Sequence, residues 1–245
     1  MRGAAFAPQD GSMADANPVP GTDRTRLKRM AARRFGLAGL VLAAMLFLPA
    51  GTLRYWQAWV FLAILLVPMF VVVACFLRKN PEVLERRMRM EEKEPAQKII
   101  LLCSYPFFLA AYLLPGLDRR WGWSAVPAWL VVAADAVILA AYLFFARVMR
   151  ENRFLSRTVG VDRGQEVVRS GPYAVVRHPM YAAVIPMYLA GPLALGSYWA
   201  LIPAAAIPVV IVLRILDEEK VLCRDLEGYG EYRRQVRYRL IPGVW

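Results

Sequence analysis

The chain has 245 residues, of which 58% are hydrophobic and 20% charged, and its formal net charge is +12. Soluble domains run nearer roughly 45–50% apolar and about 25% charged, so a water-soluble globular protein is excluded. A basic excess would suit nucleic acid, but here Lys and Arg cluster between apolar runs, where charge orients membrane spans. No nucleic-acid partner is expected.

Residues 1–23 are rich in Gly, Pro, Ala and Asp and read as a flexible leader. No signal peptide is visible, because the first apolar run begins only at Phe35 and lacks a cleavage site. That run, 35–50, predicts a first span whose basic flank, Arg33 and Arg34, can snorkel. A turn at Gly51 to Arg54 leads to Tyr55, Trp56 and Trp59, which suit an interfacial aromatic belt, and a second span continues to Leu77. Residues 78–98 are polar and amphipathic, and predict a helix on the membrane surface with Val83, Leu84, Met88 and Met90 toward lipid.

A third span is expected over 99–114, ended by Pro115-Gly116, with Trp121 and Trp123 as interface anchors. Pro127 opens a fourth span over 126–147. It contains Asp135, a carboxylate at bilayer depth that suits a hydrogen bond to a neighbouring helix or a substrate cavity. After a long polar stretch comes 182–213, almost free of charge. As a single helix it would be about 48 Å long, against a hydrocarbon core of about 30 Å. Breakers at Gly191-Pro192 and Gly196-Ser197 therefore predict a hairpin of two short helices.

Of the 31 Lys and Arg, only Arg54, Arg119 and Arg120 fall on one side of these six segments. Both termini and both large loops are therefore expected in the cytoplasm. The fold expected is an all-α, polytopic integral membrane bundle with a C-terminal helical hairpin and a cytoplasmic cofactor pocket. Residues 24–147 supply four transmembrane helices with the 78–98 loop, and 148–245 form the catalytic region. No obligate protein partner is called for, and the absence of an internal repeat weighs against a transporter.

Chemistry concentrates in two polar segments flanking the hairpin. GPYAVVRHPMY, 171–181, holds the sole histidine, His178, beside Arg177, Pro179, Tyr173 and Tyr181. RILDEEKVLCRDLEGYGEY, 214–232, holds Arg214, Glu218 and Glu219. A hairpin returns the second segment to the membrane face of the first, so a basic, imidazole-bearing cluster meets a carboxylate pair at a helix-bundle mouth. One histidine and three scattered cysteines make no zinc site, so no metal is expected. A serine hydrolase lacks its GxSxG elbow, and no phosphate-binding glycine loop exists.

Gly171-Pro172-Tyr173, Arg177-His178-Pro179-Met180-Tyr181, Arg214, Glu218-Glu219, Leu222, Gly228-Tyr229 and Tyr232 together resemble the isoprenylcysteine carboxyl methyltransferase family. That family sits in a wider group with phospholipid N-methyltransferases. The closing YRLIPGVW resembles the end of bacterial members, which implies a bacterial inner-membrane location. The resemblance covers about residues 165–245.

It implies S-adenosyl-L-methionine as cofactor, held by Tyr173, Arg177, His178, Pro179, Tyr181, Glu218 and Glu219. It also implies a lipophilic or amphipathic small-molecule acceptor reached from membrane lipid, with the carboxylate of an isoprenylcysteine-like compound first among candidates. Arg214 would orient that acceptor, and Glu218 would take a proton if the acceptor were an amine. The alternatives are a lipid N-methyltransferase, an NADPH-dependent sterol-type reductase, whose similar element carries Asn where Met180 stands, and a membrane scaffold or transporter.

Overall fold

A computed structural model describes residues 24–79, 81–88, 92, 94–162 and 164–245. The leader expected over 1–23, and Met90, lie outside the described residues. The chain is all-α and polytopic. Four helices are long and apolar enough to cross a bilayer: α1 (Arg24–Ala50), α2 (Trp56–Lys79), α4 (Pro95–Trp121) and α5 (Ala128–Glu151). Large apolar side chains such as Leu40, Leu48, Val71 and Trp129 stand on their outer surfaces, which only a lipid environment accommodates.

The first helix starts well before the apolar run at Phe35. Leu27 and Ala31, one turn apart, give its basic segment a single apolar stripe. They pack with Phe76, Met149 and the residues of the short helix α3 (Pro81–Arg87). Val83, Leu84 and Met88 therefore face protein instead of lipid, a correction to the surface-helix expectation. The apolar face was read properly, but its partner is a corner formed by α1, α2 and the end of α5.

Pro115-Gly116 does not end the third span either, because α4 runs on to Trp121. Its stop is Gly122 at φ +67°, whose N–H bonds to Asp118 O at 2.7 Å. Pro115 is tolerated where neighbouring membrane helices enclose it, and Gly116 is where α1 and α4 touch. A Cβ at 116 would lie 2.6 Å from Leu46 O and 3.2 Å from Ala50 N, both backbone atoms that cannot step aside. Gly116→Ala should therefore cost about 1–3 kcal/mol of stability by overpacking. Its melting temperature in detergent should fall by several degrees, whereas Gly36→Ala, with open space around the added carbon, should not lower it. Equal melting of the two variants would refute the contact.

The uncharged run 182–213 is broken into α6 (Pro179–Ala194) and α7 (Leu201–Asp225). Between them Gly196 takes φ +74°, and the turn is tied to the rest of the bundle. Ser197 Oγ donates to the buried Asp118 at 2.5 Å, and Tyr55 donates its hydroxyl hydrogen to Leu195 O at 2.5 Å. At 1.5 Å per residue α6 is about 24 Å long, short of a full crossing. α7 is long enough but carries Arg214, Asp217 and Glu218 in its second half, so among the described residues four helices, not six, meet both the length and the apolarity that a crossing needs. α5 packs most extensively against α6. Asp135 is buried in α5 beside Ala134, and neither of its oxygens has a hydrogen-bond partner among the described residues.

Candidate functional site

The site lies at the end of the bundle that carries the basic residues. There α5 stops at Asn152, whose side chain accepts from Phe154 N at 2.9 Å and donates to Tyr173 Oη at 3.1 Å. An irregular strap follows over 153–162 and 164–168, then a short 3-10 turn, Gly171–Ala174. Gly171 has φ +57°, and a Cβ there would meet the Glu151 carboxyl at 2.7 Å, so the chain turns where only glycine fits. Residues 177 and 178 then run alongside the C-terminal tail. Arg177 N donates to Tyr238 O and His178 N to Arg239 O, both at 2.9 Å. Pro179 begins α6 with its φ already helical and no N–H to satisfy.

Glu219, on α7 beyond its apolar part, ties three basic groups together. Its Oε1 accepts from Arg177 Nε at 2.7 Å and lies 3.3 Å from His178 Nε2. Its Oε2 accepts from Arg239 Nε at 3.0 Å, and Arg239 in turn lies over the Trp245 ring. Arg177 Nη1 donates to the carbonyls of Val236 and Arg237 at 2.8 and 2.7 Å. Burial alone would raise the Glu219 carboxyl, but the hydrogen bonds from His178 and Arg177 and their charges together hold it down at about 2.

Glu218, one position earlier on the helix, points elsewhere. It accepts the Tyr181 hydroxyl hydrogen at 2.7 Å, and Tyr181 Oη accepts from Arg214 Nε at 2.9 Å. Arg214 Nη2 donates to Arg157 O at 2.7 Å and lies 3.6 Å from Glu92 Oε2. Its Nη1 is buried without a hydrogen-bond partner among the described residues. An unpartnered donor on a buried cation is costly unless something anionic arrives to meet it.

These groups line one cleft, walled by the strap, by 173–181 and by α7 and α8 (Tyr229–Gln235). Tyr173, Arg177, His178, Pro179, Tyr181, Arg214 and Glu218 line it. Glu219 does not; it lies behind the wall. Two further contributors, Asn152 and Arg157, were not singled out from sequence, and a third, Tyr229, was noted there without a site role. Asn152 holds Tyr173, and Arg157 supplies a carbonyl to Arg214 from the cleft wall. Tyr229 lines the cleft, and its buried hydroxyl has no hydrogen-bond partner among the described residues. No local pattern marks Asn152 or Arg157, whereas Tyr229 stands in the Gly228-Tyr229 element already noted.

The free space is about 100 Å³, below the roughly 300–1,000 Å³ of small-molecule clefts, so a ligand of nucleoside size enters only if the walls move apart. Chemically, the cleft lining includes a guanidinium whose Nη1 has no hydrogen-bond partner among the described residues, a carboxylate and several aromatic faces. That donor set fits a ligand with both anionic and cationic ends.

The fold defines an all-α polytopic membrane protein with a polar cleft at the basic end of its helices. Residues 129–224, which run from α5 to the end of α7, match the model of the isoprenylcysteine carboxyl methyltransferase (ICMT) family. No curated protein is significantly similar to the chain.

Proposed function

We propose that the protein is an S-adenosylmethionine-dependent membrane methyltransferase acting on a lipophilic or amphipathic acceptor, first among them the carboxylate of an isoprenylcysteine-like compound. The observation that carries this reading is the buried Arg214 head, whose Nη1 has no hydrogen-bond partner among the described residues, set beside Glu218 and Tyr181 inside the family-matched region. The basic side of the bundle is the cytoplasmic one, since 28 of the 31 Lys and Arg in the sequence belong to the N-terminal tail, the two long polar segments and the C-terminal tail. The α6–α7 pair acts as a hairpin that returns Glu218 and Arg214 to the mouth where His178 begins.

When bound, S-adenosylmethionine would supply an electrophilic methyl group on a sulfonium centre. Glu218 is the cleft-lining carboxylate for its ammonium or ribose hydroxyls, and the rings of Tyr173, Tyr181 and Tyr229 provide faces for the adenine and the cation. Burial and the neighbouring Glu218 push the Tyr173 phenol up to about 12, though the Asn152 hydrogen bond and Arg87 oppose them, so its hydroxyl stays neutral. Arg214 orients an anionic acceptor arriving from lipid. A carboxylate acceptor needs no base, so the cleft contributes alignment and exclusion of water. Glu219 braces the wall by holding Arg177, His178 and the tail.

Calorimetry on the purified chain in detergent tests the reading. Saturable binding of S-adenosylmethionine and of its demethylated product, with none of NADPH, is expected. NADPH binding without a response to the methyl donor would replace this reading by the reductase alternative.

A further inference from the structure

The connection between α3 and α4 was read from sequence as membrane surface, yet Glu92 within it is 5% exposed. Its Oε2 accepts the Val159 N–H at 3.1 Å and faces Arg214 Nη2 at 3.6 Å. One carboxylate thus touches the strap over the cleft and the guanidinium inside it. Its neighbours in sequence grip the same strap. Arg86 donates to Arg153 O at 3.1 Å and pairs with Asp162 at 3.4 Å, and Arg87 donates to Ser156 O at 2.9 Å. Most of these bonds end on strap backbone atoms, so they set its path whatever its side chains are.

Arg214 closes the circuit by donating to Arg157 O, two residues before Val159. An amide at 92 would satisfy the Val159 N–H equally well. What a carboxylate adds is charge, directed at Arg214 Nη2 while Tyr181 holds Nε. At 3.6 Å it is too long for a tight hydrogen bond, so it steadies the fork without capturing it. Nη1 then stays buried without a hydrogen-bond partner among the described residues.

We propose that Glu92 is a positioning residue of the methyl-transfer site. It aims Arg214 and couples that aim to closure of the 153–162 strap, so that engagement of an anionic acceptor and enclosure of the cleft are one event. Glu92, Arg86 and Arg87 lie outside residues 129–224, the part that matches the family model, whereas the strap and Arg214 that they hold lie inside it. The acceptor half of the inference rests on the function proposed above; the coupling half does not.

The test uses the full chain in lipid nanodiscs, with three readouts: donor affinity, amide hydrogen exchange over 153–162, and transfer to S-farnesylated N-acetylcysteine as probe acceptor. Glu92→Gln keeps an acceptor for Val159 and loses the charge. Its strap exchange and donor affinity should stay within about threefold of wild type while the probe's KM rises about tenfold. Glu92→Ala loses both contacts, and strap exchange should accelerate about tenfold or more. Arg214→Ala, which gives up the Arg157 carbonyl, should accelerate exchange over the same peptide, and adding Glu92→Gln to it should raise KM no further.

If Glu92→Ala fails to fold, Glu92→Asp reads the same coupling, because its shorter arm cannot reach both partners. An unchanged probe KM in Glu92→Gln overturns the positioning role. Unchanged strap exchange in both Glu92→Ala and Arg214→Ala overturns the coupling. A wild-type chain that neither binds donor nor methylates the probe rejects the proposed function, and the exchange comparison still decides the coupling.

Discussion

Glu219→Ala is expected to undock the C-terminal tail and lower the melting temperature by about 10 °C, with little direct effect on any ligand in the cleft. The carboxylate is 4% exposed and bonds Arg177, His178 and Arg239 together. Removing it leaves the Arg177 guanidinium, itself 5% exposed, with backbone carbonyls alone. Breaking a buried pair by deleting one partner costs about 3–5 kcal/mol, and each kcal/mol moves the melting point of a chain this size by about 2–4 °C. Glu219→Gln keeps an acceptor oxygen and should lose less, about 1.5–3 kcal/mol. Proteolysis within 236–245 should accelerate in the same order. The carboxyl is held at about 2 against an ordinary 4.5, so its contribution is complete above about pH 4.5 and disappears as pH falls toward 2. Acid should therefore destabilise the wild type over that window more steeply than Glu219→Gln. A variant that melts like wild type, with an intact tail, would show that the cluster is a solvated contact.

The membrane helices were legible because a bilayer demands about 20 apolar residues and puts basic residues at one end. Their ends were not, because helix breaking in a membrane is decided by remote partners. Pro115-Gly116 looks like a stop until Leu46, far away in sequence, is seen against Gly116. Likewise Val83 and Leu84 show an apolar face in the sequence, but not that Leu27, Ala31 and Phe76 cover it. The meeting of Arg177 and His178 with the Glu pair was legible, since a chain that turns back must return to the same face. Which carboxylate faces the cleft was not. Adjacent residues of a helix diverge by about 100°, and packing against the tail turns Glu219 to the wall and Glu218 to the opening. Glu92 was invisible for a simpler reason: one carboxylate in a run of charges has no mark of burial.

Arg214→Ala should leave donor affinity within about threefold and lower kcat/KM for an anionic acceptor by about 100-fold. The side chain is anchored at three points, through Nε to Tyr181 Oη, through Nη2 to Arg157 O, and beside Glu92. None of these uses Nη1, which is left as the buried donor for whatever enters. A charge-assisted hydrogen bond made there is worth about 1.5–3 kcal/mol, which is about 10- to 150-fold in rate or affinity. Loss of alignment of the acceptor adds to it. The bland reading is that Arg214 snorkels to the water interface, and its geometry opposes that. It is 9% exposed, and its head donates inward to a tyrosine and a strap carbonyl. Arg214→Lys separates the two readings. A snorkelling charge is replaced by lysine at little loss, whereas a point ammonium cannot bond Tyr181, Arg157 and a ligand in the plane of a fork. Recovery by lysine should therefore stay below about a tenth of wild-type activity. Tyr181→Phe should reproduce part of the defect, because it releases Arg214 Nε and Glu218 together. Donor titration by calorimetry supplies the first half of the comparison, and radiolabelled methyl transfer to native membrane lipids and to a prenylated cysteine supplies the second. Wild-type transfer by Arg214→Ala to the species so labelled would remove Arg214 from the acceptor site.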